Sequence, residues 1–170
     1  PLKVFAVLFL ILLPLSLISF LDDYHTVSPS IRFFIHGFTG IGVLTLSQLS
    51  VPHFSIFLIY PLLFFLFVGI VNFVNFMDGL HGLVAGSMLI SLSGAFITLS
   101  VSWPYWVIIG SLFSFLLFNW SPSKVFMGDV GSTFLAAVFV AFILQSPTWY
   151  VFFGLLLIPT PLFADSIVTI

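Results

Sequence analysis

Long apolar runs separated by short polar punctuation dominate this chain, and each run is close to the roughly 20 residues that one bilayer crossing needs. They predict seven helices, over residues 4–21, 33–50, 54–77, 83–101, 103–120, 131–146 and 149–169. The breaks at Val51-Pro52-His53, Ser102-Trp103-Pro104 and Gln145-Ser146-Pro147 carry proline with polar or aromatic residues, as tight interfacial turns do. The alternate connections, 22–32, 78–82 and 119–130, hold Asp22, Asp23, His25, Arg32, Asp78, His81, Asn119, Lys124 and Asp129. Parity of the spans puts these connections on one membrane face. The end of the last span returns there with Asp165, so all five acidic residues are expected together.

The predicted fold is all-α, a polytopic transmembrane bundle forming one domain over 1–170, with no repeat or linker to divide it. Composition agrees: 61% of residues are hydrophobic and 5% charged, against roughly a quarter charged in soluble domains. With no cysteine, disulfides and thiolate metal sites are excluded. The run behind Lys3 is too long for a signal peptide and meets Asp22-Asp23 without a small-residue cleavage site. Arg32 and Lys124 against Lys3 favour a cytoplasmic polar face by the positive-inside rule, a margin of one charge. The chain opens on Pro1 and ends at Ile170 within an apolar stretch, so both ends are expected to be cut from something longer.

Three strings carry the candidate chemistry. Asp22-Asp23 at a span end can hold a divalent cation or a proton, and on spacing alone an interfacial anchor is an equal reading. In Asn72 through Gly86, steps of three bring Asn72, Asn75 and Asp78 along one helix with a drift of about 60° per step. Side-chain amides suit a nucleobase or sugar amide. Helix packing explains any one asparagine, but not so many polar groups at one depth. In Phe118 through Ser132, glycines flanking Asp129 allow close backbone approach, and the following helix N-terminus offers free N–H groups to an anion. That predicts a diphosphate and metal seat. Oxygen-only ligation points to Mg²⁺ or Mn²⁺. Lys124 can neutralise phosphate or snorkel at the interface. His36, within a span, and His53, on the other face, are read as structural, while His25 and His81 stay open.

At these strings the chain resembles the polyprenyl-phosphate N-acetylhexosamine-1-phosphate transferase family, which includes the phospho-MurNAc-pentapeptide translocase. It is more similar to the branch that starts O-antigen synthesis, through Phe118-Asn119-Trp120, Phe126-Met127-Gly128-Asp129 and Arg32. The resemblance implies about ten or eleven spanning helices in the complete protein, a bacterial inner-membrane location and an active site facing the cytoplasm. It implies a UDP-sugar donor, undecaprenyl phosphate as acceptor, the lipid bilayer as surroundings, Mg²⁺ (or Mn²⁺) as cofactor, and no nucleic acid; a homodimer is left open. Carried over by position, Asp22, Asp23 and Asp129 are the expected catalytic residues, with Asp129 and Asp22 on the metal. Asn72, Asn75, Asp78, His81, Asn119, Lys124, Gly128 and Arg32 are the expected substrate-binding residues. His81 departs from the pattern, since the family usually has aspartate there. An ion-coupled transporter is the alternative, but its acids belong near mid-membrane and its broken helices repeat between halves.

Overall fold

The computed structural model describes residues 2–169, with side chains for 6–53 and 55–164. Eight α-helices lie among them: α1 Leu2–Tyr24, α2 Pro29–Thr45, α3 Ile56–Phe76, α4 Leu83–Thr98, α5 Trp106–Asn119, α6 Gly128–Ile143, α7 Trp149–Leu156 and α8 Thr160–Thr169. No strand occurs among the described residues, as the all-α expectation requires. Single 3₁₀ turns at His53–Ser55 and Trp103–Tyr105 lead into α3 and α5.

Two boundaries shift for local reasons. The second helix starts at Pro29, earlier than expected, because Ser28 caps it: its hydroxyl accepts the Ile31 N–H at 3.5 Å, with Pro29 at the first helical position. It also ends sooner, since residues beyond Thr45 leave to bond the α6–α7 turn. There the Gln48 N–H donates to Leu144 O at 2.9 Å, and Gln145 Nε2 donates to Leu46 O at 2.7 Å. The expected last span, 149–169, is a correction: it is two helices broken at 157–159. Pro159 has no N–H to continue the ladder and clashes with the preceding turn.

The centre of the bundle is α6, packed against α1, α3 and α4. Leu135 through Leu144 are all buried, and Ala136, Ala137 and Ala141 let neighbouring backbones approach. Around it α1 lies beside α2, α2 beside α3, and α4 beside α5. The outer surface is also apolar, with Leu10, Phe34, Phe38, Phe57 and Ile97 exposed, which suits lipid rather than water. By length and composition, Ala6–Tyr24 of α1 and the whole of α3 can each cross a bilayer; α4 and α6 are apolar but shorter.

The turns segregate as parity predicts. At one end 46–50 meets the α6–α7 turn, where Trp149 Nε1 also donates to Ser50 O at 3.0 Å. At the other, 22–32, 77–82 and 119–130 assemble the site. Asp165 lies on α8, and the expectation that it joins this end concerns a side chain outside the described residues.

Candidate active site

The α1–α2 turn is short, and Asp22 folds it: Oδ1 accepts the Val27 N–H at 2.8 Å, which turns the chain back so that Arg32 on the first turn of α2 reaches Asp22 Oδ2. The second guanidinium nitrogen of Arg32 lies 3.4 Å from Asp129 Oδ2 on the first turn of α6. Asp22 and Asp129 themselves are within hydrogen-bonding reach of each other. Residues about a hundred positions apart thus share one ionic contact.

Asp23 does something the sequence reading did not foresee. Its Oδ1 accepts the Asp129 N–H at 2.8 Å and its Oδ2 the Val130 N–H at 3.2 Å, so it caps α6 from another helix. The helix N-terminus expected to face a ligand anion therefore faces the chain's own carboxylate. The physics is as expected, since orphan N–H groups and the positive dipole end favour an anion; the anion is Asp23. Gly128 makes the approach feasible: at φ +66° it has no Cβ, and one built there would stand 2.7 Å from Asp23 Oδ2. The close backbone approach predicted for Gly128 is thus made to Asp23.

At the end of α3 the asparagines part company. Asn75 faces the Asp129 carboxylate, and its buried Nδ2 makes no regular hydrogen bond. Asn72, one step back around the helix, is exposed and donates to Val68 O at 2.8 Å on its own helix. Asp78 follows in the turn after α3. Burial first, then the negative charges of Asp129 and Asp23, push its carboxyl up from 3.8 to about 6. Four carboxylates against one guanidinium make a hard-oxygen donor set short of positive charge, which fits Mg²⁺ or Mn²⁺. No group of three acidic or histidine side chains among the described residues closes on a metal by itself, so phosphate oxygens and water would complete such a shell.

The two remaining loops are held by Asn119. It is buried, its Oδ1 accepts the Gly82 N–H at 2.9 Å, and its Nδ2 donates to Val125 O at 2.8 Å. One acceptor site and one N–H of its amide thus hold loop backbone together, a role the expected ligand contact did not include. Gly82, at φ +78°, packs its backbone under the Trp120 ring, where a Cβ would meet the ring at 2.8 Å. His81 stands against Phe126, ring centroids 5.3 Å apart. Phe126 was missed as a functional candidate, although it sits in the same Phe126-Met127-Gly128-Asp129 string. Lys124 is exposed.

Residues 5–147, which include every residue of this site, match the sequence profile described as "Glycosyl transferase family 4". A "Probable undecaprenyl-phosphate N-acetylglucosaminyl 1-phosphate transferase" of Bacillus subtilis (strain 168) is 32% identical over 135 residues, covering 68% of this chain and 36% of that protein. A "Phospho-N-acetylmuramoyl-pentapeptide-transferase" of Streptococcus pyogenes serotype M18 is 32% identical over 155 residues, covering 74% and 45%. A "Putative UDP-N-acetylglucosamine--dolichyl-phosphate N-acetylglucosaminephosphotransferase" of Saccharolobus solfataricus is 29% identical over 141 residues, covering 73% and 44%. The chain spans less than half the length of these relatives. With the family profile running through the whole acidic end, the chain belongs to glycosyl transferase family 4.

Proposed function

We propose that this chain carries the active site of an inner-membrane enzyme that transfers an N-acetylhexosamine-1-phosphate from a UDP-sugar to undecaprenyl phosphate and so initiates a cell-surface polysaccharide. One observation carries the reading: Asp22, Asp23, Asp78 and Asp129 converge with Arg32 at one end of an apolar bundle. A phosphate anchored in lipid and a soluble nucleotide meet at such an interface, which here faces the cytoplasm. The relatives' names, all sugar-phosphate transferases, support the same reaction class.

An oxygen of the lipid phosphate attacks the β-phosphorus of the UDP-sugar, the bond from that phosphorus to the UMP oxygen breaks, and UMP leaves. Phosphoryl transfer leaves a protein mainly positioning and charge neutralisation to supply. Arg32, aligned by Asp22, donates to phosphate oxygens. Asp23 locks the first turn of α6 to α1 and so fixes Asp129. Asp129 and Asp22 would hold Mg²⁺ or Mn²⁺, which when bound neutralises charge on the diphosphate. Asn75 and Asp78 offer donor and acceptor groups to the nucleotide, and His81 with Phe126 offers ring faces to a base. Lys124 is free to meet the outer phosphate.

Full-length protein supplied with undecaprenyl phosphate, Mg²⁺ and a panel of UDP-acetamido sugars is expected to release UMP with one donor only, and only when the lipid is present. No release with any donor, or release independent of the lipid, contradicts the assignment.

A further inference from the structure

The acidic end has a second polar layer beneath it. Asp22, Arg32 and Asp129 form the outer layer, and one helical turn deeper on the same three helices stand Ser19, His36 and Thr133. Ser19 and Thr133 are buried and share a hydrogen bond of 2.9 Å, while the Thr133 hydroxyl donates to Asp129 O at 2.7 Å. Ser19 therefore supplies the proton between them, and its oxygen keeps acceptor capacity.

His36 has no such arrangement. It is 1% exposed, and neither ring nitrogen has a hydrogen-bond partner among the described residues. Thr39, one turn deeper, is fully buried with its hydroxyl equally unpartnered. Their direction follows from the glycines of α2. Gly37 and Gly40 abut Phe64 and Phe67 of α3, and Gly42 abuts Ile11 of α1. The arc between, with Arg32, His36, Thr39 and Val43, points into the bundle between α1 and α3.

A neutral imidazole carries one N–H donor and one bare acceptor nitrogen, so a dry site leaves both unmatched. Buried polar groups are rarely left so, because each then bears its whole desolvation penalty. Two such side chains a turn apart, with a serine oxygen of spare capacity at the depth of His36, offer the roughly two to four polar partners that a buried water needs. His36 stands one helical turn below Arg32 on α2, and the Arg32 guanidinium is directed at Asp22 and Asp129. We propose that His36, Thr39 and Ser19 hold buried water beneath the Arg32–Asp22 ion pair, and that through this water His36 is a positioning residue for Arg32.

The hydration and positioning are tested without activity; only the kinetic arm rests on the transferase reading. Full-length protein labelled with ¹⁵N-histidine and ¹⁵N-arginine in lipid bilayers is examined by water-edited solid-state NMR, with His36→Gln assigning the His36 ring. Rapid transfer from water to a His36 ring nitrogen is expected; a ring that receives none overturns the water site. The Arg32 guanidinium signal should shift in His36→Phe and return in His36→Gln, and an unmoved signal overturns the positioning role. If His36→Phe fails to accumulate, Thr39→Val, which removes the hydroxyl at nearly constant volume, replaces it with the same expectation. In the UMP assay, His36→Phe should lower kcat about tenfold with KM for the donor within about twofold, and His36→Gln should recover most of kcat. Wild-type kcat in His36→Phe also overturns the positioning role. A wild-type protein that releases no UMP defeats the functional reading alone, since the NMR arms still decide this one.

Discussion

Gly128 sits at φ +66°, and an alanine there would place its Cβ 2.7 Å from Asp23 Oδ2 and 3.2 Å from Asp23 Cγ. Gly128→Ala therefore carries two separate costs. The left-handed backbone costs an L-residue about 1–2 kcal/mol. Asp23 must also withdraw, and its short side chain is fixed by the N–H groups of Asp129 and Val130 at 2.8 and 3.2 Å. Losing a carboxylate from an exposed helix N-terminus costs roughly 0.3–1 kcal/mol, and more where the geometry is well aligned. The expected total is about 1.3–3 kcal/mol. Unfolding of full-length protein in one detergent measures it, beside Gly79→Ala as control, where a Cβ meets open space and the backbone is not left-handed. The control should stay within about 0.5 kcal/mol of the parent. Turnover should fall as well, because the first turn of α6 loses its carboxylate tie to α1 and Asp129 drifts from Arg32. In a double-mutant cycle, Asp23→Ala and Gly128→Ala should be less than additive, since both remove the same cap. Gly128→Ala as stable and active as Gly79→Ala would refute the cap.

Asn119→Ala leaves the Gly82 N–H without its partner, while the Val125 carbonyl keeps the Ser123 hydroxyl, at about 1–3 kcal/mol for the group left unpaired; denaturation should show the loss, with Asn119→Asp intermediate because it keeps the acceptor for Gly82. Asp78, held at about 6 in the fold against 3.8, binds its proton more tightly when folded. Its ionisation therefore costs stability, a cost absent below about pH 4 and complete above about pH 6. Stability measured in chelator should carry a term that falls across that window, and Asp78→Asn should abolish that term. Arg32→Lys keeps the charge but not the planar fork that reaches Asp22 and Asp129 together; turnover should fall about tenfold or more with insertion unchanged.

The convergence of the acids at one end was legible because span parity needs only the count of apolar runs, and parity does not depend on boundaries. The break in the last helix was legible in principle, since Pro159 and Pro161 stand in it, but hydropathy alone averages over them. What faces what was harder. A three-residue step turns a helix by 300°, so the chain of Asn72, Asn75 and Asp78 does not stay on one face, and Asn72 ends on its own helix while Asn75 meets Asp129. Asp23 and the N-terminus of α6 lie over a hundred residues apart, and no local pattern says that one caps the other. For the same reason Asn119 read as a ligand contact, although its partners are backbone groups brought near only by folding. His36 read as an ordinary core histidine; only the packed interior shows that nothing among the described residues satisfies its ring.

The central claim is that Asp129, gathered with Asp22 and Arg32, operates on phosphate at the membrane surface. Initial rates of UMP release by full-length wild type and Asp129→Asn, compared at equal membrane content with saturating UDP-sugar, polyprenyl phosphate and Mg²⁺, test it most directly. The account predicts a loss of at least about a hundredfold in the variant with unchanged insertion, as for removal of a major electrostatic contact to the transition state. An Asp129→Asn protein that turns over at close to the wild-type rate would contradict it.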